Sequence, residues 1–325
     1  MKIVIPDGDT LALPDMRMQI ENEFSRFGEV ICNGTTKPEE VAEKIADADI
    51  VLCNKTPITR EVMENCKNLK YIGLFATGYN NIDINSATER NIIVCNAGEY
   101  STYGVVQHTF ALLLDLAGNM PKYHKAVKKG EWEKSPVFSY FPYPVHELYG
   151  KIFGVIGYGS IGKRVAKVAE AFGMKVMINT RTIPENDINN YEFVSQEEIF
   201  KYADVISLHC PLTEQTENLI CEKTLALMKP TAYLINTARG GIICEQDLAD
   251  ALNQNKLAGA GLDVLAQEPM SPDTPLKTAK NCLITPHIAW SALETRDRLI
   301  KIVVHNLECY LNGKPINQVN KLERI

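Results

Sequence analysis

A chain of 325 residues is long enough for about two domains, each with a hydrophobic core of its own. Its 45% hydrophobic and 23% charged residues are typical of a globular protein, which excludes the disordered and fibrous classes. The formal net charge of −6 offers no broad cationic surface to nucleic acid or to anionic lipid. Neither is therefore expected as a partner.

The remaining composition bears on location and metal content. The most apolar stretch, residues 110–117, falls well short of the roughly 20 residues that cross a bilayer. The first residues resemble a short strand and not a signal peptide, so a cytoplasmic protein is expected. Nine cysteines are scattered without a Cys-x-x-Cys pair, which argues against both a disulfide framework and a zinc site. No metal is predicted.

Strand-like runs alternate with helical patterns along nearly the whole chain, which is typical of parallel βαβ units and predicts an α/β fold. A first sheet is predicted from Lys2–Ile5, Glu29–Cys32, Ile50–Cys53, Tyr71–Phe75 and Ile92–Cys95. One long helix is predicted from Ser101 to about Lys129, with a wide apolar face suited to a domain connection or a subunit interface. A second, larger sheet is predicted from Lys151–Ile156, Lys175–Asn179, Val205–His209, Ala232–Asn236, Ala258–Asp263 and Cys282–Ile284. A last helix is predicted over residues 291–312.

A glycine-rich turn follows the first strand of the second series. Its sequence is Gly157-Tyr158-Gly159-Ser160-Ile161-Gly162, and a helical run and another strand come after it. G-x-G-x-x-G alone is a weak signal, but in this context it is typical of a dinucleotide-binding unit. The glycines allow close backbone approach, and the helix N-terminus offers unpaired N–H groups to a pyrophosphate. The sequence therefore predicts a dinucleotide site here.

The end of the next strand bears on the choice of cofactor. An NAD site usually has Asp or Glu there, which accepts hydrogen bonds from the adenosine ribose. This chain has Thr180 and Arg181 instead. No carboxylate repels a 2′-phosphate, and Arg181 can bind one through a charge-assisted contact. We expect NAD(P)H with NADPH slightly favoured; the alternative is that Arg181 points to solvent and either cofactor is accepted.

Three polar residues stand just beyond successive strands of the second sheet: Arg239, Glu268 and His287. In an open parallel sheet, ligands bind outside the carboxyl ends of the strands. Each residue alone has an ordinary structural explanation. Together they suit the reduction of a 2-keto acid, because a guanidinium can hold a carboxylate, an imidazolium can protonate a carbonyl oxygen, and a carboxylate can hold that imidazolium protonated.

Five motifs stand in one order along the chain. They are Ala76-Thr77-Gly78-Tyr79-Asn80-Asn81-Ile82-Asp83, the turn Gly157–Gly162, Asn236-Thr237-Ala238-Arg239-Gly240-Gly241, Gly261-Leu262-Asp263-Val264 with Glu268-Pro269, and Thr285-Pro286-His287. In this order they resemble the D-isomer-specific 2-hydroxyacid dehydrogenases. The resemblance implies two Rossmann-like or flavodoxin-like domains with parallel sheets. Residues 1–100 and 288–325 would form the substrate domain, residues 101–287 an inserted dinucleotide-binding domain, and the chain usually a homodimer.

The resemblance also implies residue roles. Arg239 would bind the substrate, His287 would be the acid/base, and Glu268 would pair with His287. The backbone of Thr77 and Gly78 would contact the substrate carboxylate. The bulk of Trp290, close to His287 in the sequence, suggests that it restricts the pocket; the alternative is that it simply packs between the domains. The predicted cofactor-binding residues are Gly157, Gly159, Ser160, Ile161, Gly162, Thr180, Arg181, Cys210, Thr237, Ala238 and Asp263, the last on the nicotinamide carboxamide.

Within the family, several segments are most similar to the glycerate dehydrogenase or hydroxypyruvate reductase subgroup. They include Tyr100-Ser101-Thr102, Gln107-His108-Thr109, Phe138–Tyr143 and His287-Ile288-Ala289-Trp290. The expected substrate is hydroxypyruvate or glyoxylate. The alternatives left open are larger 2-keto acids, 3-phosphoglycerate, and a nucleotide-sensing regulator with the same fold.

Overall fold

The computed structural model describes residues 1–11, 14–185 and 191–320. The chain forms two compact units. Unit 1 contains Met1–Ser101 and the described residues from Ala292 onward, and unit 2 is Thr102–Ser291. In the part of the chain that the structure describes, no helix combines the length and the apolar character needed to span a membrane.

Unit 1 is built on a five-stranded parallel sheet. Its strands are β1 (Lys2–Ile5), β2 (Glu29–Cys32), β3 (Ile50–Cys53), β4 (Tyr71–Leu74) and β5 (Ile93–Cys95). Their order is β2-β1-β3-β4-β5, as in flavodoxin-like folds. Every residue of β3 and β4 is buried, because helices cover both faces of a parallel sheet. These strands are therefore continuous apolar runs in the sequence.

Unit 2 is built on a seven-stranded parallel sheet. Its strands are β6 (Ile152–Ile156), β7 (Lys175–Asn179), β8 (Glu192–Phe193), β9 (Val205–Leu208), β10 (Tyr233–Asn236), β11 (Gly259–Leu262) and β12 (Cys282–Ile284). Their order is β12-β11-β10-β9-β6-β7-β8. From β6 the chain proceeds to one edge and then returns to β9 on the other side. Such a reversal marks the place where open α/β sheets bind ligands.

The predicted α/β class with two parallel sheets is confirmed. Each predicted strand is present, with its ends displaced by at most one residue. The additional strand, β8, has two residues and is too short to show a periodicity in sequence. The helices are α1 (Pro14–Ser25), α2 (Val41–Lys44), α3 (Arg60–Glu64), α4 (Ile84–Glu89), α5 (Thr102–Gly118), α6 (Met120–Lys128), α7 (Ser160–Ala171), α8 (Gln196–Tyr202), α9 (Glu222–Leu225), α10 (Glu245–Asn253) and α11 (Leu293–Leu311).

The prediction of one helix from Ser101 to Lys129 is wrong. The chain breaks between α5 and α6 at Asn119, which has a left-handed φ of 51°. Pro121 supplies the physical reason, because it has no N–H to donate to the carbonyl of Ala117 four residues earlier. That carbonyl accepts instead from the N–H of His146, at 2.9 Å.

Helix α5 packs unusually close to β11. A Cβ on Gly261 would lie 2.9 Å from the Cβ of Leu112, and one on Gly259 would lie 3.1 Å from Leu116. Larger residues at these strand positions would force the helix away from the sheet. The close approach brings the first turns of α5 near the carboxyl end of β11, where polar side chains gather.

Candidate active site

The glycine-rich turn lies between β6 and α7 in unit 2. Gly157 has a φ of 96°, a region that favours glycine, and its N–H donates to the carbonyl of Asn179 at 2.8 Å. A Cβ on Gly162 would lie 2.1 Å from the carbonyl oxygen of Gly157. By contrast, a Cβ on Gly159 would meet no atom within 4 Å. Two of the glycines are thus required by the fold itself, whereas Gly159 faces open space.

The turn has the features of a phosphate-binding cradle. Gly159 is the N-cap residue of α7, and as a glycine it has no side chain that could accept a hydrogen bond from the first N–H groups of the helix. The N–H groups of Ser160 and Ile161, in the first turn of this helix, have no acceptor within the helix. The positive end of the helix dipole therefore meets open space, and the residues present fit the pyrophosphate of a dinucleotide.

Three more of the predicted cofactor-binding residues follow the strands β7 and β9: Thr180, Arg181 and Cys210. Thr180 comes directly after β7, and the exposed Arg181 follows it. His209 and Cys210 come directly after β9, and their backbone lies against Gly157. Burial lowers the pKa of His209 to about 3 and raises the pKa of the Cys210 thiol. Both side chains are therefore neutral near pH 7.

Arg239 follows β10 on a turn that Asn236 holds. The Asn236 amide donates to the carbonyl of Arg239 at 2.9 Å and accepts from the N–H of Ala238 at 3.0 Å. The hydroxyl of Thr237 lies 3.2 Å from that of Thr109 on α5. The Arg239 guanidinium is exposed and donates to the carbonyl of Ala238 at 2.7 Å. Most of its donors therefore remain available to a ligand.

Glu268 and His287 form a direct pair. The Nδ1 atom of His287 lies 2.7 Å from Oε2 of Glu268. The other carboxylate oxygen accepts from the N–H of Leu265 at 3.0 Å, which fixes the carboxylate. A carboxylate only accepts hydrogen bonds, so the proton between the pair lies on Nδ1. Nε2 is left as the atom of His287 that can exchange a proton with a ligand.

The backbone of His287 is in an uncommon conformation. In the described ranges, seven residues other than glycine have a positive φ; six are asparagines, and the seventh is His287, at 55°. Residues other than glycine are uncommon in this region; asparagine, aspartate and histidine enter it most often, but the close approach of Cβ to the next carbonyl oxygen still costs about 1–2 kcal/mol. Surrounding contacts must therefore hold His287 in place.

Asp263, directly after β11, supplies those contacts. Its carbonyl accepts from the N–H of His287 at 2.8 Å, and its carboxylate accepts from the N–H groups of Ile288 and Ala289 at 2.9 and 2.8 Å. Three successive N–H groups therefore bind one residue. The side chain also accepts from the hydroxyl of Thr285 at 2.6 Å. We call this set, Asp263 with residues 285 and 287–289, the Asp263 clamp.

The clamp keeps the Asp263 side chain ionised although only 1% of its surface is exposed. Burial alone would raise the pKa of this carboxyl. Hydrogen bonds from His108, Thr285, Ala289 and Ile288 outweigh the burial, and the pKa is lowered from its ordinary value. A carboxylate with this many donors is a rigid anchor.

Unit 1 holds the predicted substrate residues Thr77 and Gly78, which follow β4. The Thr77 hydroxyl donates to the carbonyl of Gly98 at 2.5 Å, and the Thr77 carbonyl accepts from the Asn96 amide at 2.7 Å. Within the described residues, the N–H groups of Thr77 and Gly78 have no acceptor. This loop therefore presents two adjacent donors. The half-buried Trp290 lies on the turn after His287, in unit 2.

Residues 110–289 match the family described as "D-isomer specific 2-hydroxyacid dehydrogenase, NAD binding domain". The chain belongs to this family. The family predicted from the motifs is thereby confirmed, and the protein is a dehydrogenase with a nicotinamide cofactor. The match covers the glycine turn and all three strand ends that carry Arg239, Glu268 and His287.

Relatives of known name agree with this assignment. The chain is 44% identical to a hydroxypyruvate reductase of Blautia hydrogenotrophica, over 99% of this chain and 100% of the relative. It is 37% identical to a glycerate dehydrogenase of Methylorubrum extorquens, over 98% of both. Among solved structures, an acyclic imino acid reductase in complex with NADPH and D-Arg is 34% identical, with a TM-score of 0.86, over 98% of this chain and 100% of that one.

The motifs give no role to three residues of this dehydrogenase that touch the site. Asn236 holds the turn of Arg239, Thr285 joins the Asp263 clamp, and His108 reaches the clamp from α5. The sequence signal for Asn236 and Thr285 is their place at the strand ends. His108 has no such signal, because its contact depends on how closely α5 packs on β11.

Replacing Gly159 with alanine tests the cradle of the dehydrogenase. The new methyl group contacts no protein atom, so the melting temperature should fall by no more than about 4 °C, the usual cost at a helix N-cap. The Kd of NADPH, measured by fluorescence titration, should rise at least about tenfold, or 1.4 kcal/mol. Gly162→Ala is the matched control, and it should lower stability as well as affinity. Unchanged binding in Gly159→Ala would place the pyrophosphate elsewhere.

Proposed function

We propose that this dehydrogenase reduces a small 2-keto acid, hydroxypyruvate or glyoxylate, to the D-2-hydroxy acid. The observation that carries the proposal is the pair of His287 and Glu268, 2.7 Å apart, on the side of the sheet where the glycine turn and Arg239 also lie. The names of the relatives, hydroxypyruvate reductase and glycerate dehydrogenase, support this choice of substrate.

Arg239 binds the substrate carboxylate in this proposal. Its guanidinium is exposed at the end of β10, and its backbone is fixed by Asn236. A planar guanidinium can form two parallel hydrogen bonds to a carboxylate, which orients the 2-keto group as well as binding it. We further propose that the adjacent N–H donors of Thr77 and Gly78 bind the same carboxylate and that Trp290 limits the size of the substrate.

His287 supplies the proton. Nδ1 is held by Glu268, so Nε2 of the imidazolium donates to the carbonyl oxygen as that oxygen gains negative charge. Glu268 stabilises the imidazolium because one of its carboxylate oxygens lies 2.7 Å from Nδ1 of His287. The other oxygen accepts a hydrogen bond from the N–H of Leu265, which fixes the carboxylate in this position. The Asp263 clamp keeps the ring in place during this transfer. In the oxidative direction, the same Nε2 accepts the proton of the hydroxyl group.

The nicotinamide cofactor, when bound, supplies the hydride that reduces the 2-keto carbon. We propose that the N–H groups at the start of α7 bind its pyrophosphate and that the cofactor contacts in this turn are Gly157, Gly159, Ser160, Ile161 and Gly162. The remaining proposed contacts are Thr180, Arg181, Cys210, Thr237, Ala238 and Asp263. We propose a mild preference for NADPH, because Arg181 is exposed beside the end of β7 and no carboxylate stands in the usual acidic position.

This arrangement implies a division of labour between two domains. We propose that residues 1–100 and 288–325 form the substrate domain and that residues 101–287 bind the dinucleotide. The two compact units support this division, although their boundaries differ slightly: they fall after Ser101 and after Ser291, so that residues 288–291 belong to unit 2. The glycine turn lies in unit 2 and the Thr77 loop in unit 1.

A panel of substrates tests the proposed function. Initial rates with hydroxypyruvate, glyoxylate, pyruvate and phenylpyruvate, each with NADH and NADPH, should give the highest kcat/KM for one of the first two acids and for NADPH. The highest value for phenylpyruvate would support a dehydrogenase of larger acids. Tight cofactor binding without any turnover would support a nucleotide sensor, and a clear preference for NADH would exclude the role of Arg181.

Two substitutions test the assigned roles. His287→Gln should lower kcat by about 10²- to 10⁴-fold, the usual contribution of a general acid, while NADPH still binds. Arg239→Lys should lower kcat/KM, because an ammonium cannot reproduce the two-pronged contact. His124→Gln, a change of an exposed histidine on α6, is the control and should leave the rates unchanged. Near-normal turnover in His287→Gln would refute the assignment.

We propose a homodimer on the basis of one surface segment. Residues 135–147 have no helix or strand, yet Phe138 and Phe141 expose 91% and 82% of their surface. Hydrogen bonds from the Trp132 indole to the carbonyl of Phe138 and from the Tyr123 hydroxyl to that of Tyr143 keep the segment ordered. Exposed aromatic residues on an ordered segment are typical of an interface.

Sedimentation equilibrium tests this interface. The wild-type chain should sediment as a dimer, and Phe138→Ser with Phe141→Ser should shift it toward the monomer. Leu293→Ser removes an exposed apolar residue elsewhere and should have no effect. A monomeric wild-type protein would contradict the proposal.

A further inference from the structure

His108 is a histidine outside the catalytic pair that nevertheless reaches the site. It lies on α5, one turn before Leu112, and its side chain is 18% exposed. Its Nε2 atom is 2.8 Å from the hydroxyl of Thr285 and 3.3 Å from Oδ1 of Asp263. The close packing of α5 on Gly261 makes this reach geometrically achievable.

The hydrogen bonds define where the proton of His108 lies. The Thr285 hydroxyl has one proton, and its shorter contact is to Oδ1 of Asp263, at 2.6 Å. That carboxylate can only accept, so Thr285 donates to it. Thr285 must then accept from His108, and Nε2 of His108 must carry a proton. The direction of donation is therefore from His108 to Thr285 to Asp263.

This chain of hydrogen bonds ends at Asp263, the residue that fixes the backbone conformation of His287. Asp263 binds the N–H groups of His287, Ile288 and Ala289 and thereby holds His287 at a positive φ. A carboxylate that lost two of its side-chain donors could rotate about its Cβ–Cγ bond. Its contacts to Ile288 and Ala289 would then weaken, and the His287 ring would lose its fixed position.

We infer that His108 is a positioning residue for proton transfer, acting through Thr285 and the Asp263 clamp on His287. The inference rests on the proposed function, since it concerns the same reaction. His108 touches neither the reacting atoms nor His287 itself. Its contribution is therefore to kcat through geometry, because a small misplacement of a catalytic group costs rate more than it costs substrate affinity.

The first experiment is a double-mutant cycle on kcat with the best 2-keto acid. His108→Leu removes the donor and Thr285→Val removes the hydroxyl, and each should lower kcat by about tenfold with KM changed less than about threefold. The double variant should be slowed by clearly less than the product of the two single effects, because His108 and Thr285 act on the same carboxylate and Thr285 accepts the hydrogen bond of His108. Multiplying effects, or an unchanged kcat in His108→Leu, would overturn the inference.

Rescue by a conservative variant separates positioning from general packing. The amide nitrogen of glutamine can occupy the place of Nε2 and donate to Thr285. His108→Gln should therefore keep kcat within about threefold of wild type, whereas His108→Leu should not, although both keep the helix. His124→Leu on α6 is the matched control. Equal losses in His108→Gln and His108→Leu would assign His108 a packing role only.

NMR of the histidine rings gives a readout that does not depend on turnover. The chain has six histidines, so ¹⁵N-histidine labelling gives few imidazole signals to assign. At neutral pH, His108 should show a proton on Nε2, and the His287 signals should shift in His108→Leu but not in His108→Gln. An Nε2 without a proton would overturn the inference. If wild-type enzyme reduced no 2-keto acid but these signals were as expected, the proposed function alone would fail.

Discussion

The contacts between Asp263 and the three residues after Pro286 are the constraint on which the site depends. A histidine at a positive φ is strained by about 1 to 2 kcal/mol in an unconstrained chain. Three successive N–H groups bound to one buried aspartate offset that strain. The aspartate in turn stays ionised because its donors outweigh the cost of burial. The orientation of His287 is thus a property of a network and not of the residue alone.

The parallel sheet explains why these groups meet. Arg239, Asp263 and His287 follow β10, β11 and β12, which are neighbours in the sheet. These strands are parallel, so all three residues lie at the carboxyl end of the sheet. The glycine turn, which follows β6, lies at the same end. Helix α5 completes the arrangement, since the glycines of β11 allow it to approach within reach of Asp263.

Much of the fold could be predicted because buried parallel strands are continuous apolar runs. The strands of both sheets follow from such runs, as does the α/β class. The helix from Ser101 to Lys129 was the clear error, because its apolar pattern continues past a proline that cannot complete the hydrogen bonds. The strand β8 escaped prediction because two residues carry no period. Arg239, Glu268 and His287 could be singled out because each follows a strand.

The sequence by itself determined the chemistry available: a glycine turn, an arginine, and a histidine with a carboxylate, in an order typical of one family. Only the tertiary structure decided how these groups are held. The Asp263 clamp connects residues that follow two different strands. His108 contacts Asp263 from a helix that lies about 150 residues earlier in the sequence. Whether a hydrogen bond forms between two distant segments depends on differences of a few tenths of an ångström in the positions of its atoms. No local pattern of residue types encodes such distances.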